Sequence, residues 1–134
     1  MKLCITDIKL YLKENLPFFD EDSYRIEYSV HAIVIFKKEK NYLVYGEHDF
    51  KWLSEKYVKI LDSRTPLLWE EKVFKKSLHL KSEYYPEYIM KINYFFGPIE
   101  FLNNREFFYD IYEDWDKAYN FFMDVKNKNE DADH

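Results

Sequence analysis

The sequence predicts an α+β fold, an antiparallel sheet of about four or five strands with helices packed on it. It forms a single domain over residues 1–126, with a frayed C-terminal tail over 127–134. Three observations lead there. A chain of 134 residues is enough for one hydrophobic core. Hydrophobic residues make up 47% and aromatics 21%, with thirteen Tyr and twelve Phe, too large an apolar payload for a disordered chain. Only two Gly and four Pro punctuate it, which argues against barrels and sandwiches built on many tight glycine turns.

The elements follow in order from hydrophobic periodicity. Cys4, Ile5, Ile8, Tyr11, Leu12 and Leu16 share one helical face, with Thr6 or Asp7 as N-cap and Pro17 as stop, so a first helix is expected. The alternation Ile8, Leu10, Leu12 is its competitor. Phe18 to Ser23 forms an acidic link. Tyr24 to Lys37 reads as the clearest strand, with Ile26, Tyr28, Val30, Ala32, Val34 and Phe36 on one face. The polar run Lys38 to Asn41 turns it into a second strand, Tyr42 to Tyr45, closed by Gly46.

Asp49 then caps an expected helix with the face Phe50, Leu53, Tyr57, Ile60 and Leu61. Thr65 and Pro66 open another, to about Lys75. Leu78, Leu80, Ser82 and Tyr84 alternate, Pro86 interrupts, and Tyr88, Met90, Ile92, Tyr94 and Phe96 alternate again up to Gly97 and Pro98, giving a second hairpin. After a short segment from Ile99 to Leu102, Asn103 or Asn104 caps the strongest helix. Its continuous stripe is Phe108, Ile111, Trp115, Ala118, Phe122 and Val125. The order helix, hairpin, helices, hairpin, helix makes a layered α+β arrangement.

Charge and cysteine usage narrow the function classes. Twenty-five acids against twenty bases give −5, which disfavours direct nucleic-acid or anionic-membrane binding and suits a basic or neutral partner better. No run approaches the length of a membrane span. A single cysteine and no leader-like start make the cytoplasm the expected compartment. Cys4 reads as a buried, inert thiol. The two glycines stand too far apart for a phosphate-binding loop, and no Cys or His spacing suggests a metal, so no cofactor and no metal are expected.

His31 and His79 sit at polar positions of expected strands, where a shared sheet could join them as an acid/base pair for phosphodiester cleavage. That makes a small nuclease or hydrolase the alternative reading. Glu47, His48 and Asp49 follow Gly46 in a loop position that a strand-to-helix turn also explains. A third reading is a phage-type protein whose carboxylates mimic nucleic-acid phosphates.

The window from Ile99 to Asp116 stands out. It holds six acids, Glu100, Glu106, Asp110, Glu113, Asp114 and Asp116, and one base, Arg105; the nineteen acids and nineteen bases elsewhere cancel. The whole formal charge resides there. On the last helix Tyr109, Tyr112, Glu113, Asp116 and Asn120 recur at helical spacing. Tyrosines among carboxylates bury apolar area, donate hydrogen bonds and meet cations, the composition of a protein-binding face. The partner-binding candidates are therefore Glu106, Tyr109, Asp110, Tyr112, Glu113, Asp114 and Asp116, with no catalytic residue among them.

With its length and this acidic aromatic window (Glu106, Tyr109, Asp110, Tyr112, Glu113, Asp114, Trp115 and Asp116), the chain resembles the small acidic immunity proteins that bacteria make against toxins of contact-dependent inhibition and other polymorphic toxin systems. The resemblance implies a non-catalytic inhibitor that binds a cognate basic toxin domain, often a nuclease, over or beside its active site.

Overall fold

A computed structural model describes residues 1–6, 26–46, 49–80 and 90–133. The strands are β1 (Lys2–Ile5), β2 (Tyr28–Phe36), β3 (Glu39–Gly46), β4 (Asp49–Ser54), β5 (Val58–Asp62), β6 (Trp69–Leu80) and β7 (Met90–Pro98), with a 3-10 turn at Glu55–Tyr57. The helices are α1 (Ile99–Asn103), α2 (Glu106–Glu113) and α3 (Trp115–Asp133). The architecture is α+β, as the sequence predicts, with an antiparallel sheet and a helical layer.

β2 organises the sheet. Its residues Ile33 to Phe36 pair with β3 on one edge and with β7 on the other. At its start, Tyr28 and Ser29 pair with β1. β4 joins through β3, β5 through β1 and β6 through β7. Among the described residues the helices pack on one face of this sheet. Ala32, Val34, Leu43, Phe50 and Phe95 meet Phe101, Phe107, Ile111, Ala118 and Phe122 there. A second core on the opposite side collects Leu3, Ile5, Tyr28, Val30, Ile33, Tyr42, Val44, Leu53 and Tyr57.

A bulge lets β2 serve both cores. Val30 pairs with Val44 and Ala32 with Leu43, so His31 is an extra residue opposite no partner of its own. The extra residue reverses the facing of everything after it. Tyr28 and Val30 lie in the second core, whereas Ala32 and Val34 lie under the helices. The single face expected from Ile26 to Phe36 is therefore two faces joined at His31. Asn93 makes a similar register shift in β7, which places Ile92 and Phe95 under the helices and Tyr94 and Phe96 against the second core.

Three segments expected as helices are strands. Cys4 and Ile5, assigned to a first helix, lie in β1, where Leu3 and Ile5 are buried alternately with Lys2 and Cys4. Thr6 caps no helix there; its N–H and hydroxyl both donate to the Tyr57 carbonyl, at 2.8 and 3.3 Å. The remainder of that helix from Asp7, the acidic link, Glu47, His48 and the stretch from Ser82 to Tyr88 lie outside the described residues. The helix from Asp49 is replaced by β4, the 3-10 turn and β5. Phe50 and Leu53, three residues apart, mimic a helical face because each fills a different core. Asp49 does not cap a helix; its carboxylate accepts from the Phe50 N–H at 3.0 Å and pairs with Lys51 at 3.3 Å. The Thr65–Pro66 pair opens no helix either. The Pro66 carbonyl accepts the Trp69 N–H at 3.2 Å in a tight turn, and β6 follows.

Gly97 allows a close approach. A Cβ there would lie 3.0 Å from Ala32 Cβ and 3.2 Å from its Cα, tighter than ordinary contact, so a side chain at this position would press β7 away from the start of β2. The β2–β3 hairpin is tighter than the expected Lys38 to Asn41 turn, since Phe36 pairs with Glu39 across two residues. Both of these, Lys37 (φ 52°) and Lys38 (φ 67°), are left-handed. A two-residue hairpin demands this, and lysine adopts it at a cost that Asn and Gly avoid. Replacing Lys37→Asn and Lys38→Gly together is expected to raise stability by about 1–2 kcal/mol, read as a higher urea midpoint at unchanged slope.

Candidate functional site

The acidic window folds into a corner between two helices. The continuous helix expected through Phe108 and Val125 breaks at Asp114, which has φ −144° and ψ 81°. Its N–H closes α2 on the Asp110 carbonyl at 2.9 Å, and its own carbonyl accepts the Ala118 N–H at 3.0 Å. Its side chain accepts the Lys117 N–H at 3.3 Å, so Asp114 is the N-cap of α3. Asn104 does not cap α2 as expected; its N–H ends α1 on Glu100, and Arg105 precedes α2 without a side-chain cap.

The seven candidates then separate by role. Asp110 is 4% exposed, so it belongs to the interior of the corner and not to its surface. Lys117 holds it at 3.5 Å and holds Glu106 at 2.7 Å. Burial pushes the Asp110 carboxyl above its ordinary value against the pull of Lys117, while the Lys117 hydrogen bond holds Glu106 below its own. Lys117 is the residue the sequence reading lacks. Its only signal is its place three residues after an Asp that can cap.

Glu113 and Asp116 remain exposed, and among the described residues neither forms an ion pair. Tyr112 is 53% exposed and Tyr109 is half-buried beside it. Glu100, the sixth acid, reaches Lys128 at 3.5 Å. The corner thus presents two carboxylates and two tyrosine rings on a frame pinned by Asp114 and the Asp110–Lys117–Glu106 contacts. Such a surface can receive lysine or arginine side chains and bury part of a partner's apolar area.

The histidines do not form the pair that the alternative reading needs. His79 pairs across to Lys91 near one end of β7, whereas β2 meets the other end with Ile33 opposite Phe96, and His31 lies further on. That separates them by about 15 Å or more at a strand rise of about 3.3 Å per residue. His31 is turned beneath α3, its ring edge-on to Phe122 at 4.7 Å. His48 lies outside the described residues. Cys4 is half-buried and free. Among the described residues no cluster of His, Cys, Asp and Glu could hold a metal ion, and no helix is long and apolar enough to cross a membrane.

Comparison with protein-family models, characterised proteins and solved structures finds no match for this chain.

Two predictions follow from these environments. Lys117→Met leaves the buried Asp110 uncompensated and is expected to cost about 1–3 kcal/mol, the range for stranding a buried polar group. Adding Asp110→Asn recovers most of that loss in urea unfolding. The second concerns His31, whose imidazole is pushed down from 6.5 to about 4 by burial first and by the Lys126 charge second. The unfolded chain therefore binds more protons between these values, so this contribution is complete above about 6.5 and is lost as pH falls toward 4. About 2 kcal/mol disappears between about pH 7 and about pH 5. Unfolding measured at both pH values tests this, and in His31→Gln that part of the slope is absent.

Proposed function

We propose that this chain is a non-catalytic binding protein that neutralises a basic protein partner, as an immunity protein inhibits a bacterial toxin domain such as a nuclease. The observation that carries the reading is the α2–α3 corner, where Tyr112, Glu113 and Asp116 stand exposed on a frame stiffened from within. A nuclease gathers Lys and Arg to hold phosphates, and an acidic surface complements such a site and speeds encounter. Exposed tyrosine adds the apolar anchor that charge alone lacks, at a small entropic cost. A preformed corner also loses less freedom on association than a loop would. The same reading puts its action in the cytoplasm, where the chain would protect the cell that makes it.

Asp110 is excluded from the test because its substitution perturbs the frame. The partner to use is a basic protein that the chain captures from its native cells, identified by mass spectrometry, and the readout is calorimetric affinity at low and high salt. Tyr112→Ala, Glu113→Gln and Asp116→Asn in one chain are expected to weaken binding by at least about 30-fold, roughly 2 kcal/mol, and to flatten the salt dependence with the circular dichroism unchanged. Unaltered affinity and salt slope would remove this corner from the interface.

A further inference from the structure

Behind the β2 bulge a cavity of about 300 Å³ opens between the sheet and α3. That is the lower end of the range for small-molecule pockets, roughly 300–1,000 Å³. Trp69, Phe101, Phe122 and Val125, all buried, supply its apolar walls. His31 is the polar group set among them, its ring edge-on to Phe122 at 4.7 Å. Among the described residues no hydrogen bond contributes to its protonation, yet neither ring nitrogen is sealed from solvent in the way that Asn129 Oδ1 is. The imidazole therefore keeps an open edge, towards this cavity and the cleft beside it, both of which it lines.

The charges around the cavity have one prevailing sign. Lys126 follows Phe122 by four residues, on the same side of α3. Lys2 and the Met1 amino group stand at the rim as well. Asp62, the acid in the lining, is already held by the Arg64 guanidinium at 2.7 and 3.0 Å. Lys2 meets Glu27 only at 3.9 Å, with both side chains more than half exposed. At His31 itself the field is positive: among the described residues the charges that act on the imidazole are those of Lys126 and the Met1 amino group, and no carboxylate offsets them. A negative group placed there would relieve that repulsion and accept a hydrogen bond from the neutral ring. The aromatic walls offer faces for a flat apolar body.

We propose that this cavity binds a small aromatic carboxylate, with the negative group between Lys126 and His31 and the ring against Trp69, Phe101 and Phe122. One negative charge suffices, because Lys2 and the Met1 amino group already share the fields of Glu27 and Asp62. The site is independent of the partner-binding corner. Asp116 and Lys126 are ten residues apart on one helix, which is about 15 Å.

The probes are phenylacetate and phenylacetamide, which have nearly the same shape and differ in charge. The readout is nuclear magnetic resonance of the His31 ring nitrogens and the Trp69 indole N–H. Phenylacetate at millimolar concentration is expected to give saturable shifts at both groups, and the amide to bind about tenfold more weakly, as loss of one charge-assisted hydrogen bond implies. In Lys126→Met, which removes the charge and keeps an unbranched side chain on an exposed position of α3, most of the preference for phenylacetate disappears while the amide binds as before. Lys126→Arg retains the preference. Absence of a saturable shift at His31 and Trp69 with phenylacetate, equal binding of the two probes, or a preference that survives Lys126→Met unchanged would overturn the assignment.

Discussion

Everything described here depends on the pairing of β2. Ile33 to Phe36 are held on both edges, by β3 and by β7, and Tyr28 and Ser29 hold β1. Among the described residues no other strand joins three neighbours. Backbone groups this far from water require partners, and β2 meets the requirement only with both flanking strands in register. Its side chains impose a second condition, because Ala32 and Val34 face the helices while Val30 and Ile33 face the opposite core. Burying a Val or Ile side chain contributes about 1.5–3 kcal/mol, so a register slip that exchanged the two faces would disturb both cores at once.

The bulge at His31 reconciles these conditions, and the candidate sites lie on either side of its effect. Before it, Tyr28 and Val30 face the second core; after it, Ala32 and Val34 face the helical layer and Ile33 the second core. His31 itself is turned under α3, next to Phe122 and the cavity that Asn129 also lines. At the other end of α3, the aromatic packing of Trp52 on Phe108 and of Phe50 on Phe107 seats α2 against the sheet. Asp114 then fixes where α2 stops and α3 starts. The orientation of Tyr112, Glu113 and Asp116 is thus set by a core contact and a helix cap, with little freedom left to lose when a partner binds.

The parts of this arrangement that the sequence reveals are those with sustained apolar periodicity. β2 from Tyr28, the Met90 to Phe96 run and the Phe108 to Val125 stripe appear from it, although both strands turn out to serve two cores and the stripe is broken at Asp114. β4 and β5 do not, because Phe50 and Leu53 feed different cores and leave a spacing that matches a helix. β6 is exposed over most of its length and takes its form from pairing with β7, a long-range contact that local preference cannot express. The bulge carries no Gly or Pro to mark it. In the acidic corner, the exposure of Tyr112, Glu113 and Asp116 is legible from composition and spacing. The burial of Asp110 is not, since it depends on Lys117 arriving from the next helix. Asn129 sits in a polar run with the composition of a tail, although α3 continues through it to Asp133.

The measurement that bears most directly on this account is native-state hydrogen exchange of the β2 amides. If β2 is the strand on which both cores depend, the amides of Ile33, Val34, Ile35 and Phe36 exchange only through global opening, with a free energy equal to that of urea unfolding. Exchange of these four amides through local openings, at a lower free energy than amides in the middle of α3, would contradict it.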